Sequence, residues 1–252
     1  MLHGSAGSGS MWRAKRDAFS PLYQVISPDL IGYGRSAPWQ EATAFSLQEE
    51  VRRVEALIPC CEERFDLVGY SYGGAVALAL ALGNPVRVRS LTLIEPVFFA
   101  ALKYAGDNAA LDALMAVHAR FTRALERGER EAAMRDFIDF WSGSGAWHRI
   151  AEPLRDAMRS IADKIRLDWQ ASFDFDPGLG ALAAVEGRTL LVRGDRSPEP
   201  MRRLVDALHA LIPGSACAVV RGASHLLPFT HASQLAVVLN SHLHAASERG
   251  LR

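Results

Sequence analysis

The segment "GYSYGG", Gly69 to Gly74, places Ser71 between the apolar run "RFDLV" and the Ala-rich run "AVALALALG". Gly-x-Ser-x-Gly between a strand and a helix is the spacing a nucleophile needs at the tip of a sharp turn. Glycines at 69 and 73 let neighbouring chain approach where a Cβ would collide. The turn exposes the Ser71 hydroxyl at the carboxyl end of a sheet, and the Tyr72 N–H at the helix start can stabilise an oxyanion. A serine hydroxyl attacks poorly until a base takes its proton, and a histidine base needs an orienting carboxylate. Of the eight histidines, only His225 follows a late strand in a small-residue turn, "RGASHLLPF". His231 falls near the start of the closing helix, and the other six fall at the N-terminus, in a helical stretch or on helix faces. Two acids compete for the third position. Asp195 ends the strand "TLLVRGD", and Glu95 ends the earlier strand "LTLIEP". Both reach the carboxyl edge of the sheet. The order Ser71, Asp195, His225 favours Asp195, with Glu95 as the alternative acid or as a cap for the chain beyond it.

The elements that must hold these residues alternate. "YQVISPDL" (23–30) reads as a strand running into a turn. The segment 45–58 carries apolar residues at helical spacing, with Ser46 as N-cap. "RFDLVGY" reads as a buried strand, and the helix after it stops at Gly83 and Pro85. Further strands are expected over 88–96, 187–195 and 216–225, and a last helix over about 231–244. Strands alternating with helices imply a mostly parallel sheet covered on both faces. Between 97 and 186 the pattern turns purely helical, with helices expected over about 109–125, 129–141 and 153–169. That stretch is an insertion between two strands or a small helical domain. Its arginines 120, 123, 127, 130 and 135 alternate with glutamates and read as a solvated face rather than a basic groove. Its aromatic residues and their neighbours (Phe98, Phe99, Phe121, Phe137, Phe140, Trp141, Trp147 and Trp169) read mostly as core, with some lining an apolar pocket.

Composition narrows the class. The 252 residues carry 28 basic and 28 acidic side chains, a formal net charge of zero, which argues against a nucleic-acid partner. No apolar run reaches membrane-spanning length, and no basic, apolar signal segment opens the sequence. Cys60, Cys61 and Cys217 form neither a disulfide framework nor a metal spacing, and Cys60-Cys61 reads as the end of a helix. These features predict a cytoplasmic protein, monomer or homodimer, with no membrane or nucleic-acid partner.

Five ordered landmarks then resemble the α/β-hydrolase superfamily in its cap-bearing branch, over nearly the whole chain. "LHGSAGSGSMW" is similar to that family's oxyanion loop, "PDLIGYGRS" to its D-x-x-G-x-G-x-S loop, and "GYSYGG", "VRGDRSP" and "GASHLLPFTH" follow in order. The resemblance implies an α/β-hydrolase core over 1–96 and 187–252, with a helical cap over 97–186. It implies that the Ser5 backbone N–H joins that of Tyr72 in an oxyanion hole, with Asp29, Gly32 and Gly34 shaping a loop beside the pocket. Members of the family carry a few tens of residues before the oxyanion loop, and here only Met1 and Leu2 precede it. The expectation is either a natural start further upstream or a loop hung from a fraying terminus, with a weakened oxyanion hole.

Serine as nucleophile points away from the branches that use aspartate there. The expected reaction is ester hydrolysis through an acyl-enzyme on Ser71, on a small to medium hydrophobic substrate and with no metal or organic cofactor. The alternatives on the same site are hydrolysis of a carbon–carbon bond in a vinylogous diketone, cofactor-free perhydrolysis, and a ligand receptor without turnover. Tyr70 stands where the carbon–carbon hydrolases usually carry asparagine, which lowers that reading.

Overall fold

A computed structural model of the chain describes residues 1–19, 22–40, 44–59, 64–185 and 187–247. After α1 (Arg13–Phe19) and α2 (Leu47–Glu55), strand β1 (Phe65–Tyr70) leads into α3 (Tyr72–Gly83) and β2 (Val88–Ile94). Six helices follow: α4 (Ala100–Tyr104), α5 (Asn108–Glu126), α6 (Arg130–Ser142), α7 (Glu152–Ser160), α8 (Ala162–Asp174) and α9 (Leu179–Ala183). Then come β3 (Arg188–Gly194), α10 (Glu199–Leu211), β4 (Ala216–Val220), α11 (Leu227–Thr230) and α12 (Ala232–Ser247). The predicted helix end at Cys60-Cys61 lies outside the described residues.

The four strands are parallel and lie in the order β1-β2-β3-β4. Successive strand residues point to opposite faces. Leu67, Leu91, Leu93 and Leu191 therefore join α2, α3, α10 and the helical insertion in one core layer. Val68, Tyr70, Ile94, Leu190 and Val192 join Trp12, Phe19 and the α12 leucines 235, 239 and 243 in the other. Every residue of α3 from Tyr72 to Ala81 is buried, because the helix is sandwiched between sheet and insertion. A sequence apolar all round is what such a position requires.

Three expectations change. The segment 23–30 forms no strand. Strand geometry needs a ladder partner, and Met1–Leu2 supplies little: a rung from the Met1 amino group to Ile26 O at 2.7 Å on one side, and a bridge from Leu2 to Gly69 on the other. The terminus nonetheless does not hang free. Leu2 N–H donates to Val68 O at 2.7 Å, Tyr70 N–H donates to Leu2 O at 3.1 Å, and Leu2 is buried. Finally, the single helix expected over 153–169 is broken at Ile161 into α7 and α8. Helix α7 buries none of its residues, whereas α8 turns Lys164, Ile165, Asp168, Trp169 and Ser172 inward. The break re-aims the chain so that α8 can face the site.

Candidate active site

Ser71 sits at φ 53° between β1 and α3, a left-handed conformation that a serine holds only where its surroundings over-determine it. Its N–H donates to Ile94 O at 2.9 Å, and its carbonyl accepts the N–H groups of Gly74 and Ala75. The flanking glycines are required by contact. A Cβ on Gly69 would lie 2.3 Å from Gly73 O, and one on Gly73 would lie 2.4 Å from His3 O. The second approach brings the His3–Gly7 loop against the first turn of α3.

His225, on the turn between β4 and α11, places Nε2 3.1 Å from Ser71 Oγ. Its Nδ1 lies 3.1 Å from Glu95 Oε2. Glu95 follows β2 at φ 48° and is fully buried. Its other oxygen accepts the Gly194 N–H at 2.7 Å and the Ser197 hydroxyl at 2.6 Å. A buried carboxylate must be hydrogen-bonded on all sides, and this one is. Asp195, the acid favoured by chain order, is not against the histidine. It is exposed, and its Oδ1 accepts the Gly222 N–H at 2.7 Å. The reason is positional: both acids stand one residue past their strands, but Ile94 pairs with Val192, so Asp195 lies two residues further along than Glu95; its side chain ties the β4 turn, while the Gly194 N–H serves Glu95. A signal for this was present in the sequence: Glu95 lies inside the apolar stretch "LTLIEPVFF", where an acid has to be buried and paired, whereas Asp195 has polar neighbours.

The His3–Gly7 loop completes the floor. Ser5 and Tyr72 line one narrow cavity with Ser71, with room for about one water molecule. Tyr72 N–H opens α3 and has no acceptor within the helix. His3, placed by the sequence at a terminus, is fully buried: Nε2 accepts the Leu30 N–H at 2.9 Å, and Nδ1 bonds Gly4 O at 2.8 Å. Both bonds are made by a neutral ring with its proton on Nδ1, and burial lowers its pKa to about 4. Asp29 accepts the Gly9 and Arg35 N–H groups. Gly34, at φ +55°, passes so near that its Cβ would collide with that carboxylate; the loop is shaped as expected.

The walls come from the insertion. Phe99, Phe137, Trp141 and Trp169 line the cavity, whereas Phe98, Phe121 and Trp147 are packed in the core. Trp141 stacks on the His225 ring with centroids 4.1 Å apart. The one charged side chain on the wall is Asp168 of α8, which sequence reasoning missed; the Lys164–Asp168 spacing, one helical turn apart on an inward face, was the available signal. A wider groove lies at the opposite end of the sheet, between Met1, residues 22–28 and the edge of β1. Among the described residues its lining holds no histidine and no serine. Among the described residues there is no cluster suited to a metal ion, and no helix is long and apolar enough to cross a membrane.

Ser71 is buried beneath the insertion rather than exposed as expected (8% exposed), and with an imidazole within reach and a buried carboxylate behind it, its proton can be transferred and the resulting imidazolium stabilised. Known proteins fit that frame. The chain is 28% identical over 249 residues to a pimeloyl-[acyl-carrier protein] methyl ester esterase of Aeromonas hydrophila, covering 97% of this chain and 87% of the relative. It is 30% identical over 160 residues to lipase LipV of Mycobacterium tuberculosis, covering 62% of this chain and 53%, about half, of that lipase. Among solved structures, an alpha/beta hydrolase from a Medee basin deep-sea metagenome library superposes with a TM-score of 0.81 at 14% identity, over 96% of this chain and 88% of that one. The parallel sheet, the serine turn at its carboxyl edge and a family model matched over residues 1–238 agree: the chain belongs to the alpha/beta hydrolase family.

Proposed function

We infer that the protein hydrolyses carboxylic esters of small, largely apolar substrates through an acyl-enzyme on Ser71. The observation that carries this reading is the pair of contacts through His225, 3.1 Å to Ser71 Oγ and 3.1 Å to Glu95 Oε2. In the first half-reaction Ser71 Oγ attacks the ester carbonyl as its proton passes to His225 Nε2, and Glu95 holds the ring and stabilises the imidazolium. The developing oxyanion takes the N–H groups of Tyr72 and Ser5. The alcohol leaves with the proton from His225. Water, deprotonated by the same nitrogen, then releases the acid. Residues 97–186 act as a cap whose aromatic side chains receive the apolar part of the substrate. The relative covered over 87% of its length is named an esterase, which favours esters over carbon–carbon bonds.

The test is labelling with a fluorophosphonate probe followed by assay. Wild-type protein is expected to carry one adduct, on Ser71, and to turn over p-nitrophenyl acetate; Ser71→Ala should do neither. Folded wild-type protein without an adduct would end the serine-hydrolase reading. An adduct with turnover of a vinylogous diketone but of no ester would move the reaction to carbon–carbon hydrolysis. One slow turnover with retained product would make the protein a receptor.

A further inference from the structure

The cavity beside Ser71 has a charged wall that the proposed ester chemistry does not use. Asp168 Oδ2 accepts the Ser5 hydroxyl at 2.6 Å and the Tyr33 hydroxyl at 2.5 Å. Its other oxygen takes the Lys164 ammonium. Lys164 also donates to Glu50 Oε1 at 3.1 Å, and Glu50 Oε2 accepts the Ile31 N–H at 3.0 Å. All three charged groups are buried: Lys164 is 8% exposed, Asp168 and Glu50 1% each. The ammonium lies over the rings of Phe45, Tyr72 and Tyr33, 4.4, 4.8 and 5.0 Å from their centroids, which fixes it further.

Burying two carboxylates and an ammonium costs several kcal/mol per ion before pairing, and apolar packing of the same volume is often as stable. Stability therefore does not explain the cluster. What it touches does. Of its two hydroxyl partners, Ser5 belongs to the loop that lines the floor of the cavity, and Tyr33 packs edge-on against the His3 ring at the start of that loop. Ala6, next to Ser5, sits at φ 59°, a left-handed conformation that a residue with a Cβ keeps only where neighbours hold it.

Together these contacts point to Asp168 as a positioning residue for the oxyanion site. Anchored by Lys164 on α8, it holds Ser5, the neighbour of the strained Ala6, so that the loop keeps the Ser5 N–H over Ser71. The site is then complete only when α8 of the insertion is seated on the core. This inference rests on the serine-hydrolase reading, since an oxyanion is what the loop would receive. It assigns Asp168 no contact with the reacting atoms.

The test is a cycle of Ser5→Ala, Asp168→Asn and their double variant, assayed on p-nitrophenyl acetate beside thermal melts. Each single variant should lower kcat by about 10- to 100-fold with KM within about threefold, as a displaced oxyanion donor does. Because both act through one hydrogen bond, the double variant should fall no more than about twofold below the worse single. Multiplying losses, or single variants within twofold of wild type, would overturn the proposal. So would a loss carried by KM alone. If Asp168→Asn does not fold, Ser5→Ala is compared with Ser5→Thr, which keeps the hydroxyl that reaches Asp168 and should recover kcat to within about threefold of wild type; equal losses in the two would overturn the proposal. Fluorophosphonate labelling separates the two levels: an unlabelled wild type removes the hydrolase reading itself, whereas a labelled wild type with indifferent variants removes only the role of Asp168.

Discussion

Glu95 and Asp195 stand at the ends of neighbouring strands, yet only one can orient His225. Glu95 has three partners and no exposure, with one oxygen spent on Gly194 and Ser197 and the other on the imidazole. Glu95→Gln keeps that shape and removes the charge that stabilises the imidazolium. It should lower kcat by about 10³- to 10⁴-fold with little change in the melting temperature. Asp195→Asn touches an exposed side chain and should stay within about threefold of wild type. Steady-state kinetics on the two purified proteins decide this, and a larger loss at Asp195 would return the role to β3. At this scale the sequence was legible where chemistry leaves a local pattern. Ser71 and His225 each sit in a turn whose small neighbours announce a special backbone. Which acid faces His225 was not legible from chain order, because it depends on which carboxylate turns inward, and a difference of two residues in register between neighbouring strands is enough to change that.

The His3–Gly7 loop, strained at Ala6 (φ 59°), has a neutral histidine as its support. His3 accepts the Leu30 N–H through Nε2 and is held at a pKa of about 4 by burial. A folded-state pKa below the unfolded value means that the unfolded chain binds the extra proton between about pH 4 and 6.5. Stability is then fully present above pH 6.5 and is lost as the pH falls through that window. Between pH 7 and pH 5 the loss attributable to His3 is about 2 kcal/mol. His3→Gln retains an acceptor for Leu30 and cannot titrate, so its urea unfolding free energy should fall by about 2 kcal/mol less than that of the parent over the same interval. Equal losses in the two proteins would show that His3 is not the group. At the scale of elements, long periodic segments such as α3, α5 and α6 were read to within a residue or two from their own patterns. The segment 23–30 and the break at Ile161 were not, since a strand exists only with a partner and a helix break follows from what the next helix must bury.

Across the whole molecule, the insertion between β2 and β3 covers the Ser71 cavity, with Phe99, Phe137, Trp141 and Trp169 lining it. Its outer face is the solvated one expected: Arg127 pairs with Glu129 and Arg130 with Asp163, all exposed. Its inner face is aromatic and pressed onto the site, with Trp141 stacked on His225 and touching Trp169 and Phe137. The cavity has room for about one water, so under the proposed ester hydrolysis an acyl chain is expected to enter only if the Trp141 side of α6 moves or gives way. The aromatic content of this stretch was visible in the sequence, but which rings face the serine is decided by how α6 and α8 cross over the sheet. Trp141→Ala removes the ring above His225 and opens the pocket, at a cost of about 3–5 kcal/mol in stability. Long acyl chains should gain relative to short ones: the kcat/KM ratio for p-nitrophenyl hexanoate over acetate should rise by about tenfold, since each well-filled methylene is worth 1–3 kcal/mol at most. Trp141→Phe, with a smaller change in packing, should raise the ratio less while preserving the fold at assay temperature. If both variants fold and the ratio stays at its wild-type value, the pocket that selects the acyl group lies elsewhere than beneath Trp141.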